Sequence, residues 1–154
     1  MGNKYRHPFI KSGKVFQPVL PLQLSQDDPL VALTQVSVNA NEIDKPCILI
    51  NFSGFMTTFL REERYGEFIF SLKRFCLNTS HSETLIEWPF TRAFVNDTNI
   101  KEPIVYNYCD CLSEKNGFYA YQFGLTYIKL SEKSSFNITK KSMTAQVYSD
   151  NEVL

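Results

Sequence analysis

Tyr119-Ala120-Tyr121-Gln122-Phe123-Gly124-Leu125-Thr126-Tyr127 alternates large apolar and small or polar residues over nine positions. A repeat of two places every second side chain on one face of an extended chain, so this stretch reads as a half-buried β-strand. Just before it, Lys115-Asn116-Gly117 carries the Asn-Gly pair of a tight hairpin. Upstream, Ile104, Tyr106 and Tyr108 alternate in the same way, as do Ile86, Trp88 and Phe90 within Thr84 to Val95. Phe68, Phe70 and Leu72 alternate within Glu67 to Leu77, and Val36, Val38 and Ala40 close the run from Val31. Cys47 to Phe59 is almost continuously apolar or Thr and suits a central strand. Downstream, Phe136 and Ile138 precede a Lys140-Lys141 interruption, with Met143, Ala145 and Val147 beyond it.

Turn chemistry separates these segments at Asn41 to Pro46, Glu62 to Gly66, Asn78 to Ser82 and Asn96 to Asn99. No window sustains the i, i+3, i+4, i+7 stripe of a helix. The expectation is an all-β, antiparallel two-sheet sandwich of jelly-roll or Greek-key type with about eight strands. A closed barrel is the alternative.

Residues 1–28 read as an N-terminal arm, 29–150 as the sandwich and 151–154 as a short tail. Pro8, Pro18 and Pro21 lie in the arm and Pro29 just beyond it. Prolines remove ladder donors, so at most one edge strand, Val15 to Leu20, is expected there.

With 154 residues the chain suffices for one domain with a proper core. Sixteen basic and sixteen acidic residues cancel, which gives no electrostatic footprint for nucleic acid or an anionic membrane. A neutral surface also opposes self-association weakly. Thirteen Phe and eight Tyr reinforce the β reading. The first residues lack the apolar core of a signal peptide, so synthesis in the cytoplasm without secretory export is expected. Sequons at Asn51, Asn78, Asn96 and Asn137 then read as chance strand chemistry.

Catalytic material is sparse. His7 sits in the arm, and His81 lies in a Thr-Ser-His-Ser loop where neighbouring serines do not make a triad. The acidic pairs Asp27-Asp28 and Glu62-Glu63 read as solvated turns rather than calcium loops. The six glycines are scattered, so no phosphate-binding loop forms. The expectation is a protein that is not an enzyme and needs no cofactor or metal.

Four cysteines, Cys47, Cys76, Cys109 and Cys111, are candidates for disulfides or cross-links. On a strand Cys109 and Cys111 share one face about 7 Å apart, too far for an easy mutual bond. Each can pair with Cys47 or Cys76, with a neighbouring copy, or stay reduced and buried. A four-thiolate zinc site fits the spacing poorly. A stacking platform of Trp88, Tyr106, Tyr119 and Tyr121, with Tyr108 and Tyr127 beside them, is the basis of an alternative, carbohydrate- or ligand-binding reading.

The run Lys45 to Ser53, the strand Phe68 to Cys76, the element Cys109-Asp110-Cys111 and the stretch Asn137 to Gln146 together resemble a clostridial β-domain family of unknown function. The resemblance covers about Val31 to Tyr148. Family members carry further cysteines after the Cys-Asp-Cys element, whereas Leu112 to Gly117 has none. The architecture is also similar to bacterial spore-appendage subunits. That similarity implies a self-assembling subunit of a spore-surface layer or fibre, released by mother-cell lysis. Its copies would join through the arm (Tyr5, Phe9, Val15, Phe16, Val19, Leu20) and through cysteines, with no nucleic acid and no membrane as partner.

Overall fold

The computed structural model describes residues 9–41, 43–112 and 117–149. Ten strands run in chain order: β1 (Phe9–Ser12), β2 (Lys14–Val15), β3 (Gln23–Leu24), β4 (Val31–Asn39), β5 (Pro46–Leu60), β6 (Tyr65–Cys76), β7 (His81–Ala93), β8 (Thr98–Cys111), β9 (Phe118–Leu130) and β10 (Ser135–Ser149). Among the described residues there is no helix, and hence none long and apolar enough to cross a membrane. One sheet has the order β1-β10-β5-β8; the other runs β2-β4-β9-β6-β7, with β3 also on β9. The antiparallel pairs β6·β7, β5·β8, β4·β9 and β1·β10 are nested about the β6–β7 hairpin. A long hairpin folded over on itself in this way is a jelly roll.

The core lies between the sheets and follows the alternation. Ile48, Ile50, Phe52, Met56 and Leu60 of β5 face Phe68, Phe70 and Leu72 of β6 and Tyr121, Phe123 and Leu125 of β9. Phe52 stacks on Phe123 across the two sheets at 3.9 Å. Aromatic pairs contribute roughly 1 kcal/mol beyond their buried area.

Two strands change face partway. In β9 the register on β6 shifts around Thr126, so Leu125 and Ile128 are both buried while Tyr127 pairs with outward Ile69. The expected alternation through Tyr127 therefore stops at Leu125. In β10 two residues, Lys140 and Lys141, oppose the single Gly54 of β5 between the pairs Thr139–Phe55 and Ser142–Ser53, with Lys140 at a φ of 51°. This bulge is the Lys140-Lys141 interruption, and it lets Ile138 and Met143 both face the core despite their odd separation.

Seven strands are long, and the arm supplies three short ones in place of a single strand at Val15 to Leu20. Residues 16–22 lie outside the strands, where Pro18 and Pro21 withhold ladder donors. The described part of the arm is woven into the sandwich: β1 covers the β10 edge, β2 the β4 edge, and β3 pairs with β9. Gly13 marks the crossing from one sheet to the other. Its N–H donates to Met143 O at 2.7 Å, and a Cβ there would lie 2.8 Å from Gln35 O. Tyr5, His7 and the tail 151–154 lie outside the described residues.

Boundaries also differ at β8, which begins at Thr98 rather than near Ile104, and at β7, where His81 is an exposed first strand residue paired with Cys76. Lys115 and Asn116 of the expected hairpin lie outside the described residues, while Gly117 accepts a backbone bond from Ala40.

Candidate functional site

β5 and β8 pair over the full fourteen residues of β8 without a register shift. That constant register fixes which side chains share a face. Even-numbered residues of β8, from Ile104 to Asp110, point into the sandwich; odd-numbered ones, including Cys109 and Cys111, point out. Cys111 stands directly opposite Cys47, with their Cα atoms 4.0 Å apart, and the two form a disulfide. A separation this short marks a non-hydrogen-bonded pair, at which side chains approach most closely.

Cys109 stands opposite Leu49 and keeps an exposed free thiol. Its sulfur lies 3.9 Å from Cys111 Sγ and 3.1 Å from the Tyr148 hydroxyl. Tyr148 sits on β10 opposite Cys47, so its ring reaches across β5 to the third sulfur. The sulfurs of Cys47, Cys109 and Cys111 all fall within 4.8 Å of one another. Cys76 does not join them. It lies on β6 in the other sheet, where the Thr79 side chain foremost, with the Asn78 and Thr79 backbone, lowers its thiol below the ordinary range. A four-thiolate site is thus excluded by strand placement.

Between the two outward cysteines, Asp110 points inward and ties the sheets together. Arg74 Nη1 of β6 donates to both Asp110 oxygens at 2.8 and 2.6 Å, and the Tyr121 hydroxyl of β9 donates to Oδ2 at 2.7 Å. Arg74 Nη2 also donates to Glu83 at 2.9 Å. Burial, then the charge and hydrogen bond of Asp110, push the Tyr121 hydroxyl far above its ordinary value. A second clamp joins β7 to β8, with Arg92 Nε and Nη2 donating to Glu102 at 2.9–3.0 Å. Sequence reading missed both clamps. The available signal was the parity of Asp110, which it shares with Ile104; a carboxylate on an inward position needs a cationic partner across the core.

The aromatic platform is not assembled. Tyr121 is fully buried and Tyr119 nearly so, while Trp88 stacks on Tyr106 at 4.7 Å and packs against the core. Burial raises the Tyr106 hydroxyl. These rings fill the gap between the sheets, as β alternation requires, and Tyr121 has no surface left for a sugar.

The acidic pairs serve turns and surface contacts. Asp28 accepts the Ser25 N–H at 2.8 Å, and Glu62 pairs with Lys133 at 2.9 Å.

No family model matches this sequence, and no curated protein matches it. Among solved structures the chain is similar to a chain of infectious bursal disease virus, Gt strain, with a TM-score of 0.51 and 8% identity. The match covers 95% of this chain and 34% of the viral one, so the present chain spans about a third of its length. At this identity the likeness is one of fold.

Proposed function

We propose that this protein is a non-enzymatic structural subunit that assembles with copies of itself, in a spore-surface layer or fibre. The observation that carries the reading is the clip formed by residues 9–15. This short segment covers one edge of each sheet, β10 and β4, and connects to the body through residues 16–22, which lie outside the strands. Val19 and Leu22 of that connection are exposed, at 96% and 52%. A clip of this kind can leave its own edges and take the same place on the next copy, keeping every contact it makes within the chain. Such exchange yields open filaments when the rotation does not close.

Two further features support assembly over catalysis. Jelly rolls recur in viral capsid and lectin domains, and one solved structure of similar fold comes from a virus. The Cys47–Cys111 disulfide suits an oxidising setting, as the spore surface becomes once the mother cell lyses after cytoplasmic synthesis. Cys109, exposed on the same face, is positioned to link copies.

Light scattering at increasing concentration tests this on the full chain and on a version lacking residues 1–16. The full chain is expected to grow in mass and the truncated one to stop at a small species. Two monomers at high concentration would end the proposal.

A further inference from the structure

We infer that the outer face of the β5–β8 ladder carries a redox-gated site for a soft, thiolate-seeking cation of the zinc(II) class, held by Cys47, Cys109 and Cys111. The inference is independent of self-assembly.

Strand geometry disfavours two of the three possible bonds among these cysteines. Cys109 and Cys111 are two residues apart on one strand, so their Cα atoms are separated by about 6.6–6.8 Å, the far limit for a disulfide. Cys47 is diagonal to Cys109, at about 7–8 Å, which is also too far. The directly opposed pair, Cys47 and Cys111, therefore takes the bond and Cys109 is left over. The backbone keeps that third thiol out of the disulfide yet holds its sulfur 3.9 Å from Cys111 Sγ.

That spacing matches thiolate ligands of one metal. Zinc–sulfur bonds of about 2.3 Å at tetrahedral angles place ligand sulfurs about 3.8 Å apart. All three sulfurs already lie within 4.8 Å of one another. They project from two strands locked in register along fourteen residues, so the backbone holds the three sulfurs around one point, and opening the Cys47–Cys111 bond lets that pair part to ligand spacing. Sulfur donors select thiophilic cations over magnesium or calcium. Tyr148, 3.1 Å from Cys109 Sγ, is in reach to donate its O–H to that thiolate, as an outer-sphere partner does.

The disulfide is the gate. While it is closed, two of the three sulfurs are bonded to each other and are poor ligands. A dithiol reductant cleaves the S–S bond: two electrons and two protons pass to the sulfurs of Cys47 and Cys111, and the dithiol becomes a disulfide. Zinc then binds three thiolates, and three thiol protons leave to solvent. A small-molecule disulfide reverses the sequence: it takes two electrons from the Cys47 and Cys111 thiolates and, with two protons, becomes a dithiol, the Cys47–Cys111 bond re-forms, Cys109 regains its proton and the metal leaves.

The test uses the full chain, oxidised or fully reduced, with the reductant removed anaerobically. Each form is titrated with zinc(II) against a chromophoric chelator, and bound metal is counted by elemental analysis. Reduced protein is expected to hold one zinc per chain and oxidised protein none at the same free zinc. Cys109→Ser, reduced, should bind more weakly by over about tenfold, since even outer-sphere partners act on that scale. Cys76→Ser should retain one zinc. Because Cys109 is exposed and outside the disulfide, its replacement leaves the fold intact, which circular dichroism checks. Equal binding by oxidised and reduced protein overturns the inference, as does undiminished affinity in Cys109→Ser or loss of the site in Cys76→Ser.

Discussion

Opening the Cys47–Cys111 disulfide should remove a large part of the stability of this fold. The bond joins residues 64 apart in sequence and closes a loop containing all of β6, β7 and β8, with all of β5 but its first residue. In the chain-entropy account, closing a loop of this size restricts the unfolded ensemble by about 14 cal/mol/K, or about 4 kcal/mol at 25 °C. For a domain of about 150 residues that corresponds to a fall in Tm of about 8–16 °C. In urea, with a slope near 2 kcal/mol/M, the midpoint should drop by about 2 M. The slope itself should rise on reduction, because an unfolded chain without the cross-link exposes more surface. The assay is urea unfolding followed by circular dichroism, on oxidised protein, reduced protein and a Cys47→Ser, Cys111→Ser double variant. The double variant should match the reduced protein, whereas Cys109→Ser should unfold like the oxidised wild type. A midpoint that moves by less than about 0.5 M on reduction would refute the reasoning. So would a comparable loss in Cys109→Ser, because that thiol closes no loop.

Two further outcomes follow from the clamp and from the sheet edges. The buried Tyr121 hydroxyl keeps its proton to higher pH than the same group in the unfolded chain, whose ordinary value is about 10. Its contribution is therefore fully present below pH 10 and is lost above it, at up to about 1.4 kcal/mol per pH unit. Tyr121→Phe should unfold with a flatter dependence above pH 10 and lose about 1–2 kcal/mol at neutral pH, where Asp110 forfeits a donor; parallel alkaline profiles for the two proteins would contradict this. On the edge strand β8, Pro103 lies at the same parity as Cys111, so the N–H it lacks would point away from β5. Pro103→Thr supplies that outward donor, and faster aggregation in light scattering is expected with stability changed by less than about 0.5 kcal/mol. An unchanged aggregation onset would show that the proline does not guard the edge.

Much of the sandwich was legible because β-structure writes a repeat of two directly into the chain. Phe68, Phe70 and Leu72, or Ile104, Tyr106 and Tyr108, announce their inward face without reference to any other segment. Even the β10 bulge left a trace, since apolar residues on either side of Lys140-Lys141 fall on opposite parities. The bulge at Thr126 left none, because aromatic Tyr127 fits either face of a strand. The arm was misjudged for a related reason: four-residue and two-residue strands such as β1 and β2 are too short for any period, and the edges they cover are chosen by β10 and β4.

The sulfur cluster divides along the same line. Alternation alone put Cys109 and Cys111 on one face with Asp110 on the other, and made their mutual bond unfavourable. It could not choose among Cys47, Cys76 and another copy as the partner of Cys111, nor say which cation would meet the inward Asp110. Those choices depend on which strands are neighbours and in what register, and contacts 64 residues apart have no signature in a local window. Periodicity, turn chemistry and charge balance were thus fixed by the sequence alone as local properties of the chain. Strand order decided the rest: the cross-strand disulfide, the leftover thiol at 3.9 Å, the Arg74–Asp110–Tyr121 clamp and the burial of Tyr121. Each of these needs side chains from two or three strands to meet, which happens only once the long hairpin has folded over on itself.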